Sequence, residues 1–328
     1  MLKWFNLGEY MDQAKAHMIV IGGRGIGKTY SAFSYLLEDQ EDYFIYMRNT
    51  VTQLDECCGE FGNPFKRWAK DHNRTIWMEK EKNHAVIYEQ TDSDSQKVVG
   101  FGAALSTFEN LRGVDLSEVN TVLFDEFIER KKFTFDQFSS YVHFYETVNR
   151  NRELMGEPPL KCILLSNSQK LDNPILAGYG IIPVIEGMVR SGQKKYRNQG
   201  LMILLPESEI SDLKAQTENY KLINGSKIAD ENLKNKFAFD SFYGIRKRNL
   251  QEYICICAVD NIYIYKHKSN GKYYACMTRS EGVKEFSSLE NRIIFFRTYG
   301  RFLELAAGKG TLEYSDFVTK TKLMEILR

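Results

Sequence analysis

The run Met18-Ile-Val-Ile-Gly-Gly-Arg-Gly-Ile-Gly-Lys-Thr-Tyr30 passes from four apolar residues into a loop crowded with glycine. Gly22 to Thr29 fits G-x-x-x-x-G-K-[ST] at every fixed position, between a strand-like segment and a helix-compatible one. Successive backbone N–H groups must close around a polyphosphate there, and side chains would block the approach. A helix beginning near Gly27 adds its N-terminal dipole beneath the phosphates. Lys28 is then placed to neutralise β and γ oxygens and the Thr29 hydroxyl to ligate Mg²⁺. The expected contacts of a nucleoside triphosphate, read as ATP with Mg²⁺, are Gly22, Gly23, Arg24, Gly25, Ile26, Gly27, Lys28, Thr29 and Tyr30. A dinucleotide pattern, G-x-G-x-x-G, cannot be laid on these glycines.

Short apolar runs at 17–21, 43–47, 121–124 and 161–165 read as buried parallel strands, and amphipathic stretches at 29–37 and 135–154 as helices. Their alternation predicts a doubly wound α/β domain. The run Thr121-Val-Leu-Phe-Asp-Glu-Phe127 is an apolar strand ending in two acids. Asp125 at its tip is placed to hold the metal through water, and Glu126 to polarise an attacking water. A guanine-nucleotide switch would carry an N-K-x-D loop, which the sequence lacks, and small-molecule kinases need no water-polarising glutamate there. A further strand ends in Ser166, Asn167 and Ser168, which either sense the γ-phosphate or cap a turn before Asn173-Pro174.

Four arginines besides those in strands are candidates for action on phosphate. Arg24, inside the loop, is a phosphate contact or a partner of Glu126. Arg150 and Arg152 lie two positions apart at the end of the 135–154 helix, so only one is expected to act as a finger on a neighbouring subunit. Arg112 is a second finger candidate, and a surface salt bridge is the alternative for each.

A length of 328 residues suggests two cores. Residues 1–150 hold 17 basic and 23 acidic residues, and 151–328 hold 27 and 20, so the back half carries the positive field suited to a polyanion. Six scattered cysteines without metal-ligand spacing read as reduced core residues of a soluble protein. No run of about 18 apolar residues occurs, so no membrane span is expected. Residues 1–200 are assigned to the nucleotide domain, 201–236 to a linker or hinge, and 237–328 to a second α/β domain. The last includes three antiparallel strands around Asp260-Asn261 and Asn270-Gly271, and a terminal helix near 316–327.

The loop, Tyr43-Phe-Ile-Tyr-Met-Arg48, Thr121-Val-Leu-Phe-Asp-Glu-Phe-Ile128, Thr147-Val-Asn-Arg-Asn-Arg-Glu153 and Cys162-Ile-Leu-Leu-Ser-Asn167 follow the order and approximate spacing of the genome-packaging ATPases of phi-29-like bacteriophages. The chain resembles that family closely over residues 15–175 and collinearly beyond. The resemblance implies an additional-strand catalytic-glutamate (RecA-like) P-loop ATPase that drives double-stranded DNA into an empty capsid as a homopentamer, docked on the portal and a structural packaging RNA. It implies a host-cytoplasmic protein transiently bound to the procapsid. By matching positions it gives Lys28, Thr29, Asp125 and Glu126 the nucleotide chemistry and Arg150 the finger, with Arg112 a basic residue near the subunit interface. It also implies a ribonuclease-H-type C-terminal domain without nuclease chemistry. Arg246, Lys247, Arg248, Lys266 and Lys268 are its candidate residues for contacting DNA, RNA or portal, an ordinary solvated basic face being the alternative.

Overall fold

The computed structural model describes residues 3–38, 42–82, 84–92, 95–113, 115–129, 135–167, 171–226, 229, 232–233 and 243–327. Two compact units emerge, one of Met1–Gly178 with Ile185–Phe239, the other of Tyr179–Val184 with Asp240–Arg328.

The first unit is built on nine strands: β1 (His17–Gly22), β2 (Tyr43–Arg48), β3 (Ile76–Glu81), β4 (His84–Asp92), β5 (Ser95–Ala104), β6 (Val119–Asp125), β7 (Lys161–Asn167), β8 (Lys195–Arg197) and β9 (Leu201–Leu204). Their order is β3-β4-β5-β2-β6-β7-β1-β9-β8. The six from β5 to β9 in that order are mutually parallel, and β3, β4 and β8 add antiparallel edges. The central strands are buried along nearly their whole length, the signature of a parallel sheet covered on both faces. The loop strand β1 and the acid-bearing strand β6 are not neighbours, because β7 lies between them. Its register pairs Gly22 with Asn167 and Asp125 with Leu165. The tips of β1, β7 and β6 therefore finish side by side, where ligands of open α/β sheets bind.

Helix Lys28–Glu38 follows the loop directly and buries Ala32, Phe33, Leu36 and Leu37. These join Tyr46, Phe65 and Trp68 in one core, with Phe33 and Phe65 rings 4.6 Å apart. The expected 135–154 helix is shorter, Gln137–Asn149. Asp136 caps its start by accepting from Ser139 N, and Arg150 ends it with φ +49°, a conformation that stops α-helical propagation. Leu201–Leu204 belongs to the sheet rather than to a hinge, since it pairs with β1, and the following helix Glu209–Ala215 also falls in the first unit. Four apolar residues among charged ones carry little periodicity, so the sheet's extension past residue 200 shows only in the pairing.

The second unit holds a five-stranded sheet of β10 (Tyr253–Val259), β11 (Ile262–His267), β12 (Tyr273–Cys276), β13 (Glu285–Phe286) and β14 (Leu312–Tyr314), ordered β13-β10-β11-β12-β14. β10, β11 and β12 form an antiparallel meander, and β13 and β14 pair in parallel with β10 and β12. Asp260 and Asn261 have φ +44° and +62°, the two left-handed residues that a tight two-residue hairpin requires. Asp316 caps the final helix, Phe317–Ile326, by accepting from Thr319 N at 2.8 Å. Of the five basic residues singled out, Arg246, Lys247, Lys266 and Lys268 are exposed. Arg248 is committed inside the unit, donating through two nitrogens to the buried Glu313 carboxylate at 2.6 and 2.8 Å. The six cysteines are unpaired and four are buried. Among the described residues no helix is long and apolar enough to cross a membrane.

In the parallel pairing of β2 with β5, Phe44 stands opposite Gly100. A Cβ at Gly100 would fall inside van der Waals contact of the Phe44 carbonyl oxygen. Gly100→Ala is expected to lower stability by about 1–3 kcal/mol, read by urea unfolding. An unchanged midpoint would contradict that close approach.

Candidate nucleotide site

Between Gly22 and the first helical residue, Lys28, the chain turns through Gly25 at φ +71° and Gly27 at φ +97°, values that glycine adopts without strain. The Lys28 side chain runs back under this loop. Its ammonium donates to Gly22 O at 3.1 Å, Gly23 O at 2.8 Å and Asn167 Oδ1 at 3.1 Å. Burial pulls its pKa from the ordinary 10.5 down to about 8; Asp125 and Glu126 oppose that shift and Lys214 adds to it. The cavity above has a volume of about 270 Å³. Its walls are Arg24, Gly25, Gly27, Lys28, Thr29, Tyr30, Asp125, Glu126, Ser166 and Asn167. Of the expected contacts, Gly22, Gly23 and Ile26 are buried behind those walls.

Asp125 is the last residue of β6 and is buried. Its carboxylate accepts from Thr29 Oγ1 at 3.3 Å and from Tyr46 OH at 3.3 Å. Burial raises its pKa, and the positive charges of Arg48 and Lys28 and the Thr29 hydroxyl hold that rise back. Two hard oxygen donors thus meet at the cavity edge. That donor set fits Mg²⁺, which binds few protein oxygens and completes its shell with substrate phosphates and water.

Glu126 departs from the strand at φ +55° and its side chain is half exposed. Its carboxylate accepts from Arg48 Nη2 at 2.7 Å, so the partner is Arg48 and not Arg24. The register Met47↔Phe124 explains this, because the last residue of β2 then stands beside the tip of β6. The Arg24 guanidinium is exposed and makes no hydrogen bond or ion pair among the described residues. Its backbone is engaged instead, with Arg24 N donating to Asn232 O and Arg24 O accepting from Lys214 Nζ at 2.8 Å. Lys214, on helix Glu209–Ala215, is a site cation that the sequence reading did not include.

Behind Glu126 lies a chain of buried carboxamides. Asn49 Nδ2 donates to Glu126 O at 2.9 Å and Gln137 Nε2 to Asn49 Oδ1 at 2.7 Å. Gln137 also donates to Phe127 O, and Asn173 Nδ2 donates to Gln137 Oε1 at 2.8 Å. The turn following β6 is thereby fastened to the end of β2, to the start of helix Gln137–Asn149 and to the segment after β7. Asn49 and Gln137 did not stand out in the sequence, where an isolated Asn or Gln carries no motif, and Asn173 did so only as part of a turn with Pro174.

The other candidates separate. Ser166 Oγ donates to Asn167 O, and Asn167 meets Lys28, while Ser168 lies outside the described residues. Arg152 is structural, donating to Asn120 Oδ1 at 2.6 Å and to the Ser117 and Val119 carbonyls. Arg150 is exposed, does not line the cavity, and its guanidinium has no hydrogen bond or ion pair among the described residues. The backbone of Arg112 lies in the helical segment Leu105–Gly113, and its side chain lies outside the described residues.

The folded pKa of Lys28 lies below its ordinary value, so the cost of burying its charge is fully present below about pH 8 and fades as pH rises towards 10.5. A bound polyphosphate reverses that shift. At pH 9, binding of inorganic tripolyphosphate is therefore expected to take up a proton, detectable by calorimetry in buffers of different ionisation enthalpy. Lys28→Met should abolish the uptake, and uptake persisting in that variant would assign it elsewhere.

With this geometry in place, the chain was compared with known proteins. The family model of the Podovirus DNA encapsidation protein (Gp16) matches residues 2–284. The DNA packaging protein of Bacillus phage B103 is 27% identical over 237 residues, covering 70% of this chain and 67% of its own length. The solved packaging motor assembly of bacteriophage Phi-29 superposes with a TM-score of 0.67 at 20% identity, covering 99% of both chains. The Phi-28 gp11 DNA packaging motor gives 0.56 at 17% identity, covering 100% of this chain and 97% of its own. At these identities the two structures speak to the fold, and the family model, spanning most of the sequence, speaks to descent. The chain belongs to the Podovirus DNA encapsidation protein (Gp16) family.

Proposed function

We propose that this protein hydrolyses ATP and uses the energy to move double-stranded viral DNA into a preformed capsid. The observation that carries this is the placing of the phosphate loop, Asp125 and Glu126 at the tips of β1 and β6 with Asn167 of β7 between them. Backbone amides of the loop and the Lys28 ammonium bind the phosphates, exchanging the Gly22 and Gly23 carbonyls for phosphate oxygens. Thr29 and Asp125 would hold Mg²⁺, which would supply neutralisation of the phosphate charge. Glu126 accepts the proton of the attacking water once its carboxylate is free of Arg48. Asn167, bonded to Lys28, is placed to register the γ-phosphate and its loss. Membership of a DNA encapsidation family supports the coupling of this chemistry to DNA.

Arg150 supplies the finger to the site of an adjacent subunit, in keeping with its exposure at the end of helix Gln137–Asn149. A finger acting in trans implies a ring, and the resemblance to phi-29-like packaging ATPases makes that ring a pentamer. The second unit is a ribonuclease-H-type domain without nuclease chemistry. It meets DNA, packaging RNA or portal through Arg246, Lys247, Lys266 and Lys268, by phosphate contacts that weaken with salt. The protein works in the host cytoplasm, docked on the procapsid.

Glu126→Gln is expected to cut ATP turnover roughly 100-fold or more while leaving affinity for a nonhydrolysable analogue intact. Turnover at the wild-type rate would reduce the protein to a nucleotide-binding module. For the finger, specific ATPase activity should climb with protein concentration, and Arg150→Ala should flatten that climb. Constant specific activity in the wild type would remove the trans contact.

A further inference from the structure

The phosphate cavity of about 270 Å³ shares Gly25, Gly27 and Tyr30 with a second cavity of about 660 Å³. Trp4, Ser34, Arg67 and Asp71 complete the walls that matter here. Large rings are normally buried, and Trp4 is 53% exposed. Among the described residues no aromatic ring stacks on it. Nor is it a loose end. The next residue donates Phe5 N to Ile26 O of the phosphate loop at 3.1 Å, and Leu7 N donates to Ser31 Oγ at 2.6 Å on the helix that follows the loop. These two bonds strap the segment across the first turn of the helix and set the indole over Gly27, where a Cβ would lie 3.3 Å from Trp4 Cε3.

The far wall is polar and built. Asp71 Oδ2 accepts from Arg67 Nε at 3.0 Å and from Tyr30 OH at 3.3 Å, leaving its other oxygen as an acceptor. Ser34 Oγ accepts from Trp68 Nε1 at 2.9 Å, which leaves its own hydrogen to donate. An aromatic face with donor and acceptor groups at its margin is how proteins hold a base without pairing it.

We propose that this second cavity is the nucleobase subsite, in which a purine stacks on Trp4 and presents an amino-bearing edge to Asp71. The assignment rests on the triphosphate reading of the loop and adds to it the residues that select the nucleoside. Purines offer more stacking surface than pyrimidines, and a carboxylate acceptor favours bases with an exocyclic amino group. Adenosine and guanosine triphosphates therefore bind ahead of uridine triphosphate.

The test compares a nonhydrolysable ATP analogue with inorganic tripolyphosphate, which has no base, on the full chain carrying Trp4→Ala, Trp4→Phe or Lys28→Ala. Trp4→Ala should weaken the analogue roughly tenfold or more and leave tripolyphosphate unchanged. Trp4→Phe should restore most of the analogue's affinity. Thermal unfolding of Trp4→Ala close to that of the wild type would show that the loss is local. Equal weakening of both ligands would make Trp4 a support for the loop and overturn the proposal, as would an unchanged affinity for the analogue. Failure of tripolyphosphate to bind the wild type, or indifference to Lys28→Ala, would overturn the triphosphate reading and this subsite with it.

Discussion

The site is organised around an ammonium group that folding places under a glycine loop with no carboxylate, among the described residues, in salt-bridge contact. Lys28 is met by two carbonyl oxygens and one carboxamide oxygen. Taking a cation out of water costs several kcal/mol after relaxation, of the order that depresses a lysine pKa by units. The apolar sheet beneath, with β1, β6 and β7 buried along their length, offsets that cost and holds the loop in place. An arriving phosphate then finds a charge already desolvated and aimed. Preorganisation of this kind spares the reorganisation that a flexible surface lysine would require.

The acid strand is built on a different principle. Glu126 carries φ +55°, a conformation that costs a non-glycine residue about 1–3 kcal/mol and persists only where its surroundings overdetermine it. Asn49 supplies that constraint by donating to the Glu126 carbonyl, and Gln137 and Asn173 leave no amide of the cluster idle. Losing one member of such a cluster strands the others, so its strength exceeds that of any single bond. The result is a fixed backbone under a half-exposed side chain.

What the sequence disclosed and what it withheld divide along contact distance. The loop from Gly22 to Thr29 and the Asp125–Glu126 pair are local patterns dictated by backbone geometry and strand ends, and all four β-rich runs lie within strands. Arg48 meets Glu126 across 78 positions, Gln137 meets Asn49 across 88 and Lys214 meets Arg24 across 190. Strand register brings the first pair together and helix packing the other two, and no local signal encodes either. A cation inside the loop calls for phosphate or a carboxylate, and Glu126 lines the same cavity as Arg24. The neighbour of Glu126 is instead set by which strand lies beside β6, and that strand is β2. The linker placed at 201–236 failed to register β9 for a related reason: four residues are enough to extend a parallel sheet when β1 offers an open edge, but too few to show a period.

The strength of the Arg48–Glu126 pair bears on whether such a site can turn over. One partner is half exposed, and pairs open to solvent contribute about 1 kcal/mol or less. Arg48 itself is well covered. Burial works against its charge, but the carboxylates of Asp125 and Glu126 beside it more than compensate, so its cationic form is secure. It also has a second acid within reach, Asp125 at 3.9 Å. An arginine with a guaranteed charge, a weakly held first partner and a buried second one can exchange between them at little cost in free energy. Glu126 then gains or loses its freedom to accept a proton without disturbing the carboxamide cluster that fixes its backbone.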